Sequence, residues 1–248
     1  MKNNIFILSV CLILLISCQE TPKHRPGEYL VHKTATPINV VTQKIDLNWE
    51  QAPAVTQFIY PWRTEEVPFT SFKALWDDRY FYFLFQVEDA EIITQIDSSL
   101  SDEMQAVNSD RVEIFFKADD QMDPYYSLEM DALGRVLDTE GHNYRKVDFD
   151  WDWPQGELSV TSFTEKKGYV VQGSISLLSL RRLGMLREDM ILQAGLYRGE
   201  YISKGQHETS VKWISWIKPD SKKPDFHIPS SFGLLHLIQK ESFGFWSN

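Results

Sequence analysis

Cysteine is nearly absent. The chain of 248 residues has two, Cys11 and Cys18, both close to its start. Everything after Cys18 is therefore built without a disulfide or a thiolate nucleophile. Positive charge is short as well: 25 Lys and Arg stand against 35 Asp and Glu, a formal net charge of −10. Phosphate backbones need basic patches, so nucleic acid is excluded as a partner, and a neutral ligand or a cation suits the balance better. There is one long apolar run, Ile5 to Ile16, too short for a comfortable membrane span. No H-E-x-x-H, G-x-S-x-G, P-loop or EF-hand spacing occurs, and no internal repeat. Asp138, His142 and Ser162 form no triad spacing. Nothing marks the chain as an enzyme.

The chain does have apolar and aromatic residues, at 43% and 13% of the total, enough to pack a large core without cross-links. Around Phe81 the odd positions Phe81, Phe83, Phe85 and Val87 are apolar without exception, while the even positions are mixed. A period of two predicts a half-buried strand. Asp77-Asp78-Arg79 supplies the turn back to Phe72–Trp76, making a hairpin. In Asp110–Lys117, Val112, Ile114 and Phe116 share one face, and Arg111, Glu113 and Phe115 the other. Further strands are predicted at 125–131, 157–164, 169–176, 191–201, 211–217 and 232–238, with short ones at Ile38–Val41 and, on an edge, at Tyr29-Leu30-Val31. One clear helix is expected, from Ser176 to a stop at Gly184. Asp89–Asn108 is polar and helix-prone, and 138–156 is irregular. Many short strands with one or two short helices predict an all-β antiparallel β-sandwich. Trp49 reads as a core plug, and Trp153 as buried under the sheet.

Residues 1–17 read as a signal peptide and 18–37 as a polar tether, leaving 38–248 as the sandwich. Leu15-Ile16-Ser17-Cys18 resembles a bacterial lipoprotein cleavage site, which would make Cys18 the lipidated first residue. The acid in Gln19-Glu20 resembles a surface-export signal. The expectation is a protein outside the cytoplasm, held to the cell envelope, at the outer membrane, through its N-terminal lipid only.

The succession of motifs is similar to one family. Lys73-Ala74-Leu75-Trp76-Asp77, Val87-Glu88-Asp89 and Asp110-x-Val112-Glu113-Ile114-Phe115 come in order, followed by the strand Tyr125–Asp131. Then come Gly168-Tyr169-Val170-Val171, Ile214-Ser215-Trp216 and Pro229-Ser230-Ser231-Phe232-Gly233-Leu234-Leu235. This order, over roughly Ile38 to Ile238, resembles the family 9 carbohydrate-binding modules, which are often attached to xylanases. The resemblance implies a non-catalytic protein that binds oligo- or polysaccharide, supporting polysaccharide capture alongside other glycan-degradation proteins.

It also implies where to look. Glu113 matches the family's hydroxyl-binding acid. Glu129 lies on the neighbouring strand where some members carry a basic contact, and Arg198 near where others place polar contacts. The two clamp tryptophans of the family correspond to Val107 and Phe226. The expected site is a concave face with Glu113, Glu129, Tyr197 and Arg198, and with Phe226 and Trp151 as stacking surfaces, since a flat ring covers the apolar face of a sugar while carboxylates accept from its hydroxyls. His227 is a further polar candidate. No cofactor is required; structural calcium, common in the family, is expected among Asp89, Asp102 and Asp110. Three other readings stay open: a protein-interaction scaffold, a glycoside hydrolase component using a carboxylate pair, and a haem-binding sandwich using Met130 and His227.

Overall fold

A computed structural model describes residues 26–205 and 208–239. The expected signal, Cys18 and the first part of the expected tether, up to residue 25, lie outside the described residues. The alternation around Phe81 becomes β3 (Tyr80–Glu88), paired antiparallel with β2 (Thr70–Trp76). The motif around Glu113 becomes β4 (Arg111–Lys117), paired with β5 (Tyr125–Asp131). A 15-residue strand, β10 (Ile191–Gly205), lies on the other side of β4.

The remaining strands are β1 (Glu28–Lys33), β6 (Val136–His142), β7 (Lys146–Asp148), β8 (Leu158–Glu165), β9 (Gly168–Ser176), β11 (Glu208–Ser215) and β12 (Gly233–Ile238). They form one curled sheet in the order β7-β6-β5-β4-β10-β12-β1-β2-β3-β9-β8, with β11 against β10. Two short helices, α1 (Asp102–Ala106) and α2 (Leu177–Arg182), complete the fold. α1 begins at Ser101, whose side chain accepts from the Met104 N–H, which is the usual N-cap chemistry. The architecture is the expected all-β sandwich.

Curling places the apolar faces inside. Phe83 and Phe85 of β3, Val112 and Ile114 of β4, and Leu128 of β5 meet in the main core, together with Leu196 of β10 and Leu235 of β12. Two even positions of β3 are also buried. Tyr82 and Leu84, with Leu75 of β2, form a second core beneath Ile38, Val40, Trp49 and Ala52. Trp49 is thus the core plug its sequence setting suggested. The chain at Ile38–Val41 is an extended cover rather than the strand expected there. A third cluster, Phe115, Tyr125, Tyr197 and Phe226, lies on the outer face of β4, β5 and β10.

Two expectations are corrected. β1 is no edge strand: it runs parallel between β12 and β2, so the body of the domain begins well before Ile38 and part of the stretch read as tether belongs to it. The irregular stretch after Asp138 holds two strands, β6 and β7, whose polar outer residues hide the alternation.

Candidate functional site

Sheet register brings the site together. Tyr197 of β10 lies directly across from Glu113 of β4, Glu113 across from Glu129 of β5, and Glu129 across from Leu137 of β6. Two like charges directly opposite destabilise a sheet. Here Arg111, two residues before Glu113 and so on the same face, sits between them. Its Nε is 2.9 Å from Glu113 Oε1 and 2.7 Å from Glu129 Oε2. The angles do not make either contact a hydrogen bond, so the guanidinium is held there by electrostatic attraction, chiefly to Glu129. Arg111 also donates from Nη1 to the Val107 carbonyl at 2.7 Å. Burial works against its charge, but Glu129 and Glu113 outweigh that and hold its pKa above the ordinary value. Burial and the Glu129 charge push Glu113 up to about 8, against the pull of Arg111. Glu129 keeps 14% of its side chain exposed and reaches the solvent side.

Two glycines set the approach of the rings. Gly199 is opposite both Arg111 and Trp213, and a Cβ there would stand 3.3 Å from each side chain. Without it Trp213 of β11 comes over the guanidinium, 5.2 Å from ring centre to Arg111 Cζ, a cation–π contact. Gly195 leaves room for the Tyr197 side chain, whose hydroxyl would otherwise be 1.9 Å from a Cβ. Tyr197 in turn carries Phe226 stacked at 4.0 Å, and Phe226 meets Trp213 edge-on at 5.7 Å. Trp62 packs against Phe226 from the side, 5.4 Å away.

The result is a cleft of about 400 Å³ with Trp213 and Phe226 as aromatic wall, Arg111, Glu113 and Glu129 as floor, and Val107 and Met104 on one rim. Phe149, 62% exposed, stands at its mouth. His227 lines it too, its Nδ1 2.7 Å from the Tyr125 hydroxyl. Burial, with Arg145 adding to it, lowers His227 to about 4, so the ring is neutral near pH 7.

The expected site residues therefore divide. Glu113, Glu129 and Phe226 are in the cleft, and Tyr197 is buried beneath it as support. Arg198 is not: it follows Tyr197 in β10 and faces the other way, with a fully buried side chain whose Nη2 donates to Asp89 at 2.8 Å. Trp151 is not there either; it packs on Tyr126 and Trp153 against the main core. Val107 does line the cleft, and the large ring facing Phe226 comes from Trp213 instead. Arg111 and Trp213 are the residues sequence reasoning missed. Arg111 carried a signal, since it shares a face with Glu113, whereas Trp213 could be placed only through the β10–β11 register.

The carboxylates expected to hold calcium are each engaged by partners within the protein or placed on a helix. Asp89 is paired with Arg198, Asp110 accepts the backbone N–H groups of Ile93 and Tyr201 at 2.5 and 2.7 Å, and Asp102 lies in the first turn of α1. Among the described residues no group of three or more His, Cys, Asp or Glu side chains could hold a metal ion. Met130 lies in the main core and His227 packs on the opposite face of the sheet, so the two cannot share a haem.

No curated protein matches the chain. Among solved structures, a protein of Bacteroides uniformis ATCC 8492 assigned to carbohydrate binding is similar with a TM-score of 0.63 at 18% identity, over 86% of this chain and 99% of that one. A family 9 carbohydrate-binding module of Caldicellulosiruptor kristjanssonii in complex with glucose gives a TM-score of 0.53 at 17% identity, covering 87% and 97% of the two chains. The same organism's family 9 module in complex with cellotriose gives 0.54 at 15% identity, covering 89% and 98%. These likenesses establish the fold. Residues 41–240 match the family described as carbohydrate family 9 binding domain-like, and the chain belongs to that family.

Proposed function

We propose that the protein binds a saccharide in this cleft without transforming it, in the service of polysaccharide capture and breakdown. The observation that carries this reading is the pairing of an aromatic wall, Trp213 and Phe226, with a fixed polar floor, Arg111–Glu113–Glu129. A pyranose ring presents apolar C–H faces and polar edges, and such a cleft meets both. Both floor carboxylates point at one guanidinium, an arrangement suited to holding hydroxyls in place. A glycosidase instead keeps its two carboxyl groups free on either side of the scissile bond. Membership of a binding-module family supports the same choice.

The experiment is calorimetric titration with a panel of neutral and acidic oligosaccharides of two to six units, in the presence and absence of calcium. Saturable heat with at least one sugar is expected, with no release of shorter products on long incubation. Silence across the panel from a folded sample would favour a protein-interaction scaffold instead. We further propose that Cys18 carries lipid and holds the domain outside the cytoplasm at the outer membrane. Fatty-acid labelling that persists in Cys18→Ser would refute this.

A further inference from the structure

The cleft does not end at Glu129. Beyond it opens an annex of about 270 Å³, and Glu129, Arg145, Phe149 and His227 line both compartments. The annex is floored by the next row of the sheet, Ser127 of β5 and Thr139 of β6, which are register partners with their hydroxyl oxygens 2.6 Å apart. A compartment of this size takes one further ring, and its lining differs from that of the first. It has two hydroxyls and a neutral imidazole, a single aromatic at its edge, and one guanidinium.

That guanidinium, Arg145, stands out for three reasons. Its side chain is exposed at the junction of the two compartments, and it makes no ion pair with a carboxylate among the described residues. Its charge reaches into the site, acting with burial to lower His227 and against burial at Tyr125, which stays raised, while Asp225 pulls both the other way. Its backbone has φ of +56°, a left-handed conformation that a non-glycine residue adopts at a cost and that concentrates at functional sites. Glu129, the acid in the annex, is already drawn to Arg111 at 2.7 Å, and Asp225 in the first compartment forms no ion pair with Arg145, whose guanidinium lies over the Tyr144 ring at 6.0 Å and is committed to no carboxylate among the described residues. A fork of N–H donors at a sugar-sized compartment matches a carboxylate in a way that a hydroxyl does not need.

Building on the saccharide-binding reading, we propose that the annex is a second subsite for an acidic sugar unit, whose oxyanion is held by Arg145. The ligand class is thus an oligosaccharide of at least two units in which a neutral ring against Trp213 and Phe226 is followed by a uronic acid; a sulfate ester offers the same charge in a different shape.

The test compares the full-length protein and Arg145→Gln by calorimetry at low salt, using neutral, uronate-bearing and sulfated oligosaccharides of matched length. In the unaltered protein the uronate-bearing ligand is expected to bind about tenfold more tightly than its neutral counterpart, as a charge-assisted contact provides, and the advantage should shrink as salt is raised. In Arg145→Gln the ratio of the two affinities should fall to about one, while Arg145→Lys keeps part of it. A preference for the sulfated over the uronate ligand would replace the uronic acid by a sulfated unit. Neutral and acidic ligands bound equally by the unaltered protein, or a preference that survives Arg145→Gln, would overturn the subsite while leaving the cleft as a sugar site. Absence of all binding would overturn both.

Discussion

Trp213 is the residue whose loss the cleft should feel most. It supplies one aromatic face and desolvates Arg111 below it. Trp213→Ala is expected to weaken saccharide binding about thirtyfold, the ~2 kcal/mol typical of a central aromatic anchor, in a protein that still melts cooperatively. Calorimetric titration would check it, and undiminished affinity would place the ligand elsewhere. At this scale the sequence was a partial guide. Glu113, Glu129 and Phe226 were legible because motif and period two fix which way they point. Arg198 was misplaced for a reason period two also gives: it is one residue from Tyr197, so if Tyr197 serves the outer face Arg198 cannot. Trp151 was misplaced because its alternation with acids says nothing about which side of the sheet the loop crosses.

Among the elements, β1 is the one whose weight is easiest to underestimate. Its Tyr29 is buried, donates to the Pro53 carbonyl at 2.7 Å and accepts from the Ala74 N–H at 2.9 Å. One hydroxyl thus ties β1 to both β2 and the covering segment. Tyr29→Phe leaves a backbone donor and a backbone acceptor buried without it, which should cost ~1–3 kcal/mol of stability. Urea unfolding would measure the loss, and a change under ~0.5 kcal/mol would mean water replaces the hydroxyl. Strands that alternate strongly, β2, β3, β4 and β9, could be read from sequence alone. β1 could be read as a strand but not as a central one, because its place depends on a parallel partner at the far end of the chain. β6 and β7 escaped notice since their exposed faces carry the polar residues that also mark loops.

Considered as a whole, the molecule buries several ionisable groups, and they pull its stability in opposite directions with pH. Glu113 is pushed up to about 8 by burial and Glu129, and Asp110 up to about 7 by burial. Both bind a proton more tightly folded than unfolded. Their contribution is complete below the ordinary carboxylate range and is lost as pH rises through about 7 to 8. His227, lowered to about 4 by burial, runs the other way: its contribution is present above its ordinary 6.5 and is lost as pH falls toward 4. Between pH 6.5 and 8 only the first effect operates, so Tm should fall across that window, and Glu113→Gln should flatten the fall. Differential scanning calorimetry would decide; parallel slopes would mean that Glu113 is ionised throughout.

The strand order also determines when the sheet can close. β1 has five register partners in β12 and only two in β2, so its principal neighbour is the last strand to be made. Synthesis delivers β1 first and must then run through some two hundred residues before that neighbour exists. Until then the two halves of the sheet have no seam between them. Closure over so long a loop is slow, and the unfinished chain remains an open thread. The topology itself thus acts as a timer, delaying closure until β12 has emerged from synthesis.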